Sequence, residues 1–443
     1  MTNSATAAAS PFQVSRTYGF YVLALLWLVG LFRFMDIQVF AVVLESVRAE
    51  FHFSDSLLGL LSGLAFAIFY ATLGIPIALM ADRYSRRNIL SVVLGIWSGM
   101  TYLCGNATGF VSLFLARMGV GIGEAGATPS IHSLLADYFS AKNRGTVFAI
   151  VNTSIPAGVF AGFMIGGWIL ENYDWRVTFY AYGVPGILLA IILRLTLREP
   201  PRGYSENRTA PIESVKFTDT LKYLWSLRAY RHLVTATTIM TLGAYGSGIW
   251  IPAFFQRIHN LGIGEVTFWL AWIYGGGGIT GSLLGGWLSD RLAIKRQDAR
   301  WYVRIPGIAA LMILPFSFFV YLWGNPYQAM TVHIGTTILM HMYLGPAYGT
   351  VQTLAGVKRR AMASGINLLV INFLGIGFGP LIVGSASDYM NSIYGVESIR
   401  YSLLGLVVIA YTWSAVHFFL AGRTLRDDIA RAQQDSGEPG AGR

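Results

Sequence analysis

The chain has 443 residues, of which 54% are hydrophobic and only 12% charged, about half the charged share of an ordinary soluble domain. A mean hydropathy of +0.53 excludes a soluble globule of this length and points to a protein with many membrane spans. The net charge of +10 is then a question of which loops carry it rather than of nucleic acid, which is not an expected partner, and the single cysteine, Cys104, excludes an internal disulfide.

The opening "MTNSATAAASPFQVSRTYG" lacks a basic start, a short apolar core and a small-residue cleavage site, so the first apolar run is expected to be a retained span. Runs of spanning length follow at about 18–46, 56–80, 88–107, 110–136, 145–170, 177–197, 230–257, 264–288, 303–323, 327–353, 362–387 and 399–421. The fold class is therefore an all-α membrane protein with twelve transmembrane helices. Residues 1–17 form an N-terminal segment, 18–197 a first six-helix bundle, 198–229 a linker, 230–421 a second bundle and 422–443 a tail.

Basic residues crowd the even-numbered loops: Arg83, Arg86 and Arg87, then Lys142 and Arg144, later Arg291, Lys295, Arg296 and Arg300, then Lys358, Arg359 and Arg360. Because Lys and Arg in short loops stay inside, both termini are expected in the cytoplasm. The linker opens with the turn-rich "REPPRGYSENRTAP", whose Asn207 sequon is read as chance on that side of the membrane. In the next stretch Phe217, Leu221, Leu224 and Trp225 share a helical stripe with Lys216, Lys222 and Arg228 around it. This suits either a helix on the inner membrane surface or a solvated linker helix.

Charges inside spans are rare and usually face a cavity or a partner. The first span carries Arg33 and Asp36, the fourth Arg117 and Glu124. Glu124 lies in "GIGEAG", which has the letters of a dinucleotide-binding turn but sits inside one apolar run, so its glycines read as a close-packing surface. Arg117, Gly121, Glu124 and Thr128 step by four, three and four along one helix face. At 1.5 Å per residue, Arg117 is ~10 Å below the outer end, Asp36 ~15 Å, Arg33 ~20 Å and Glu124 ~21 Å. Arg33 is thus expected to meet Glu124, and Arg117 to meet Asp36. Such a network suits proton coupling through Asp36 and Glu124; the other reading is a fixed ion-pair cluster.

The second half offers Tyr245, Trp250, His333, His341 and Tyr343. Of these, Tyr245, Trp250 and His341, with Thr128, are the candidates for a substrate cavity. No nucleophile–base grouping, metal set or phosphate-binding G-x-x-x-x-G-K-[ST] loop is present, so neither an enzyme nor an ATP-driven pump is expected, and no cofactor beyond protons as coupling ion.

The halves repeat each other. "ALMADRYSRR" follows the second span and "GGWLSDRLAIKR" the eighth, while "KNRGTVFAI" opens the fifth and "KRRAMASGI" the eleventh. The loops resemble the major facilitator signature G-x-x-x-D-R-x-G-R-R, with Ala78 and Ser85 in place of its glycines and Asp82, Arg83, Arg86 and Arg87 kept; the second copy keeps Gly286, Asp290 and Arg291. "SGLAFAIFYATLGIPIALMADRYSRR", "LARMGVGIGEAGATPSIHSLLADYF" and "INFLGIGFGPLIVGSASD" resemble the spinster-like branch of that family, bacterial type.

The resemblance implies two pseudo-symmetric six-helix bundles, with spans one, four, seven and ten around a cavity. It also implies proton-linked alternating access in a bacterial inner membrane, by a monomer, and a cytoplasmic gate in which Asp82, Arg83, Arg86, Arg87, Asp290 and Arg291 tie the halves together. The expected cargo is an amphipathic organic anion or lysolipid-like molecule. The alternatives are a small organic acid carried with a proton and multidrug-type proton antiport. In one place the chain departs from the branch, whose first span reads N-[FY]-x-D-R. Here "RFMDI" puts Arg33 where the Asn belongs and Ile37 where the Arg belongs. The moved cation stays on the same helix face, one turn away. Either Arg33 compensates for the lost Arg, or the charge is lost and Arg33 snorkels to water; an unpaired Arg deep in a span costs ~3 kcal/mol.

Overall fold

The computed structural model describes residues 15–201 and 216–436. The first fourteen residues, the linker stretch 202–215 with Asn207, and the last seven residues lie outside it. The first helix, α1 (Arg16–Phe51), starts where the Ser15 hydroxyl accepts the Tyr18 N–H and stops at His52, which adopts a left-handed backbone (φ 53°). Ser54 caps α2 (Asp55–Ser62) in the same way through the Leu57 N–H, and a distorted Gly63 separates it from α3 (Leu64–Arg83).

The chain continues through α4 (Arg86–Cys104), the broken rod of α5 (Phe110–Glu124) and α6 (Ala127–Tyr138), and a second broken rod of α7 (Ala141–Asn152) and α8 (Ser154–Asn172). The last span of this half, α9 (Trp175–Thr196), is capped by Asp174. A short amphipathic α10 (Phe217–Ser226) leads into α11 (Arg228–His259), α12 (Ile263–Arg296), α13 (Trp301–Leu322) and α14 (Pro326–His341). In α15 (Leu344–Val370) Gly356 adopts φ 66° and ψ 170°, which turns the chain from one span into the next. A π-helical turn, Ile371–Ile376, precedes α16 (Gly377–Tyr394), and α17 (Ser398–Ser436) closes the bundle. Joined across their kinks, these helices are consistent with the twelve predicted spans. Among the described residues, seven segments are long and apolar enough to cross a membrane by length and composition. Leu195 stays 77% exposed and Trp168 58%, as suits side chains solvated by lipid.

Within the first half α1 packs on α8 and α4 on α5 and α9; within the second, α11 and α13 pack on α17. The halves meet along two seams, α2 against α16 and α8 against α12. Glycines allow both. A Cβ on Gly63 would lie 2.3 Å from the Gly377 carbonyl oxygen, one on Gly384 2.1 Å from that of Asp55, and one on Gly167 1.6 Å from Thr267 Oγ1. Those gaps are far inside contact distance, so backbone rests on backbone at Gly63 and Gly384, and on the Thr267 side chain at Gly167, at the end of the molecule away from the chain ends. We expect Gly384→Val to force this seam apart; paired spin labels across α2 and α16 should then report a longer separation than in the parent protein.

Candidate functional site

The G-I-G-E-A-G stretch ends α5, and its glycines fit it between two helices. A Cβ on Gly121 would lie 2.3 Å from the Phe66 carbonyl oxygen, and one on Gly123 2.6 Å from Trp97. This tight fit delivers Glu124, fully buried, to the break between α5 and α6. Arg33 reaches it from α1: Nε lies 3.1 Å from Glu124 Oε2, with side chains 12% and 0% exposed. The rest of the guanidinium is also held. One Nη donates to Thr128 Oγ1 (2.8 Å), the other to the Tyr70 hydroxyl (2.9 Å), and the rings of Phe34 and Tyr70 flank it at 5.3 and 5.7 Å. Arg33 is therefore a paired, oriented cation rather than one stretching to water. Glu124 Oε1 is buried without a hydrogen-bond partner.

Asp36 lies one turn along α1, and its carboxylate takes a hydrogen bond from Thr101 on α4 (2.7 Å), while Oδ1 has none. The expected Arg117–Asp36 ion pair is not formed. Arg117 stands within electrostatic reach of Asp36, but its guanidinium lies over the rings of Phe40 (5.2 Å) and Phe66 (5.7 Å), with Nε 3.5 Å from the Leu61 carbonyl oxygen. Cation–π contact and a nearby carbonyl substitute for a direct pair.

Tyr245, half-buried on α11, comes close enough to feel the charge of Arg33 and stands near Tyr70 and Tyr343; Tyr348 joins the same group. The second half thus brings Tyr245 within electrostatic reach of the charged pair of the first. Tyr70, Tyr348 and Thr101 had no signal in the sequence, since uncharged polar residues in spans are common. Trp250 corrects an expectation: it is fully buried and donates to the Pro380 carbonyl oxygen (2.9 Å), so it packs the core rather than lining a cavity. His341 bonds the Thr337 carbonyl oxygen (2.8 Å) and lies against Gly278 of α12, within its own half.

Among the described residues, the loop signatures make their contacts within their own halves in this conformation. Arg86 is buried and pairs with Asp137 and with Glu199 (2.8 Å), both of its own half, and also donates to the Pro200 carbonyl oxygen (2.8 Å). Arg87 binds Glu199 through its backbone N–H (2.8 Å). Arg83 is exposed, and the Asp82 side chain lies outside the described residues. Across the pseudo-repeat, Asp290 is held by Tyr302, and Arg291 sits over Trp287 at 5.1 Å.

Burial alone would raise the Glu199 carboxyl, but the Arg87 N–H, the Arg86 guanidinium and the Ser85 hydroxyl hold it below the ordinary value of 4.5. A carboxyl depressed on folding adds stability above that value, and the contribution is lost as pH falls through its lower folded value. Melting in detergent should therefore lose temperature below pH 4.5, and Glu199→Gln should flatten this part of the profile.

At the opposite end charges join the halves. Arg257, near the end of α11, reaches Asp55 with both Nη atoms (2.7 and 2.8 Å) and Glu45 with Nε and Nη2 (2.9 and 2.6 Å). Asp388 of α16 accepts the backbone N–H groups of Asp55 and Ser56 (3.0 and 2.8 Å), capping α2 from across the interface. Ser387 adds a bond to Asp55 (2.7 Å). Among the described residues no cluster of His, Cys, Asp and Glu is built to hold a metal.

Two bundles meeting at one end, with a buried ion pair inside the first, invite comparison with known carriers. The family model of the Major Facilitator Superfamily matches residues 26–380. The chain belongs to the major facilitator superfamily. This membrane transporter is similar to a bacterial homolog of the human lysosomal transporter spinster, solved in an inward-facing and unoccupied conformation: 30% identity, 94% of this chain and 99% of that one covered, TM-score 0.85. It is also similar to an MFS-type efflux pump of Mycolicibacterium smegmatis (29% identity over 91% of this chain and 92% of the relative) and to protein spinster homolog 3 of Danio rerio (26% over 86% and 79%). The transporter thus falls in the spinster-like branch.

Proposed function

We propose that this transporter moves an amphipathic organic anion by alternating access and couples that movement to protons through Glu124 and Asp36. The observation that carries the reading is the Arg33–Glu124 pair, in which a fully buried carboxylate has one oxygen on the cation and the other on nothing. Among the described residues, Arg33 is the cation that pairs directly with Glu124. An anionic head group that draws the guanidinium to itself leaves Glu124 charged in an apolar site, and a proton then relieves that cost. Linkage makes the effect reciprocal: a proton on Glu124 frees Arg33 for the anion. The tyrosines at Tyr70, Tyr245 and Tyr348 supply hydroxyls and rings for the rest of the molecule. By the distribution of basic loops, the charge-locked end faces outward, so this conformation is inward-facing.

The test is transport in proteoliposomes with lysolipids and small organic acids as cargo. Accumulation should be saturable, show counterflow and rise when a pH gradient is imposed. Accumulation that ignores the gradient for every transported cargo would overturn the coupling. A preference for short, tail-less acids would replace the lysolipid-like cargo with the small-acid one.

A further inference from the structure

We propose that α10 is a docking surface for anionic lipid on the membrane face that carries the linker. This ten-residue helix has two different sides. Thr220, Leu224 and the following Leu227 are buried against the protein, while Phe217, Leu221 and Trp225 are 42%, 37% and 57% exposed. These three recur every four residues, so they form one stripe, and among the described residues nothing covers it. Exposed Lys222 and Lys216 stand beside the stripe, and exposed Arg228 begins α11 directly after it. With only Leu227 between α10 and α11, we place the stripe at the level where hydrocarbon meets head groups.

The helix cannot roll its stripe away from that level. Tyr223, on its inner side, donates to the Leu354 carbonyl oxygen (3.4 Å), and the Arg359 guanidinium lies 4.2 Å over the Tyr223 ring while pairing with Asp435 of α17. An apolar stripe held at the interface, with cations on its edge, fits acyl chains below and anionic head groups above. A neutral bilayer would satisfy the stripe but leave the cations without partners.

The test places a spin label at Leu221→Cys in a Cys104→Ser background. The protein is put in nanodiscs of phosphatidylcholine alone or of an equal mixture with phosphatidylglycerol. In the mixture the label should collide with oxygen more than with an aqueous nickel chelate, and the difference should shrink in phosphatidylcholine. Lys216→Gln and Lys222→Gln should each cut the preference for bound phosphatidylglycerol, read by native mass spectrometry, about fivefold. Three outcomes overturn the proposal. A label equally open to the chelate in both bilayers makes α10 a solvated linker helix. A label shielded from both reagents places protein over the stripe. An unchanged lipid preference in both lysine variants removes the anionic partner.

Discussion

Glu124→Gln should abolish the response of transport to a pH gradient while leaving counterflow in place. Glutamine keeps the shape and a hydrogen-bonding oxygen for Arg33 Nε, now at 3.1 Å from Glu124 Oε2, but cannot exchange a proton. The site should still bind and release cargo, with its driving force lost. Asp36→Asn should give a partial version, because Thr101 holds that carboxylate already and Arg117 is not directly bonded to it. Arg33→Gln is the more damaging change. It leaves a carboxylate buried without its cation, a loss of about 3–5 kcal/mol when one partner of a buried pair is removed, or at least a hundredfold in the population of the charged arrangement. Glu124 would then stay protonated, so Arg33→Gln should resemble Glu124→Gln in gradient response and also lose affinity for anions. Full pH-driven accumulation by Glu124→Gln and Asp36→Asn together would sink the coupling scheme.

The second large effect is expected at the charged end. Arg257→Ala removes the guanidinium that hydrogen-bonds both Glu45 and Asp55, whose side chains are only 19% and 6% exposed. Arg48, 3.4 Å from Asp55 and 3.8 Å from Glu45, remains as a weaker substitute. The cost should therefore fall near the lower end of the range for a broken buried pair, about 3 kcal/mol. A shift of that size moves a conformer from a minor to a dominant population. Spin labels at Leu57→Cys and Tyr389→Cys, in a Cys104→Ser background, read it directly: the distance distribution should move to longer values. An unchanged distribution would assign the closure to the glycine seams alone.

The apolar runs made the span positions readable, because a bilayer demands length and hydrophobicity whatever surrounds the helix. The meeting of Arg33 and Glu124 was readable for a similar reason: rise per residue sets depth, and both positions come out level. Depth alone does not fix partners, as Arg117 shows; two phenylalanine faces and a carbonyl were available at its level and took the place of Asp36. Glu45, Asp55, Arg257 and Asp388 were passed over because charges near span ends are ordinary, and their partners come from the other half of the chain. Trp250 was misplaced because its residue type and span are the same for an aromatic that packs a core and one that lines a cavity.

The glycine seams have a consequence for leakage. Attraction between backbones in direct contact decays within about an ångström, since a radial gap of 0.5–1 Å already forfeits a quarter to a half of it. At Gly63 the nearest neighbour is the Gly377 carbonyl, so this backbone contact is lost as soon as the gap widens. Intermediate openings thus lose the contact without gaining hydration, and the barrier stands on a narrow ridge between sealed and fully parted. A carrier built this way spends little time ajar, and ions have few moments in which to slip through without cargo.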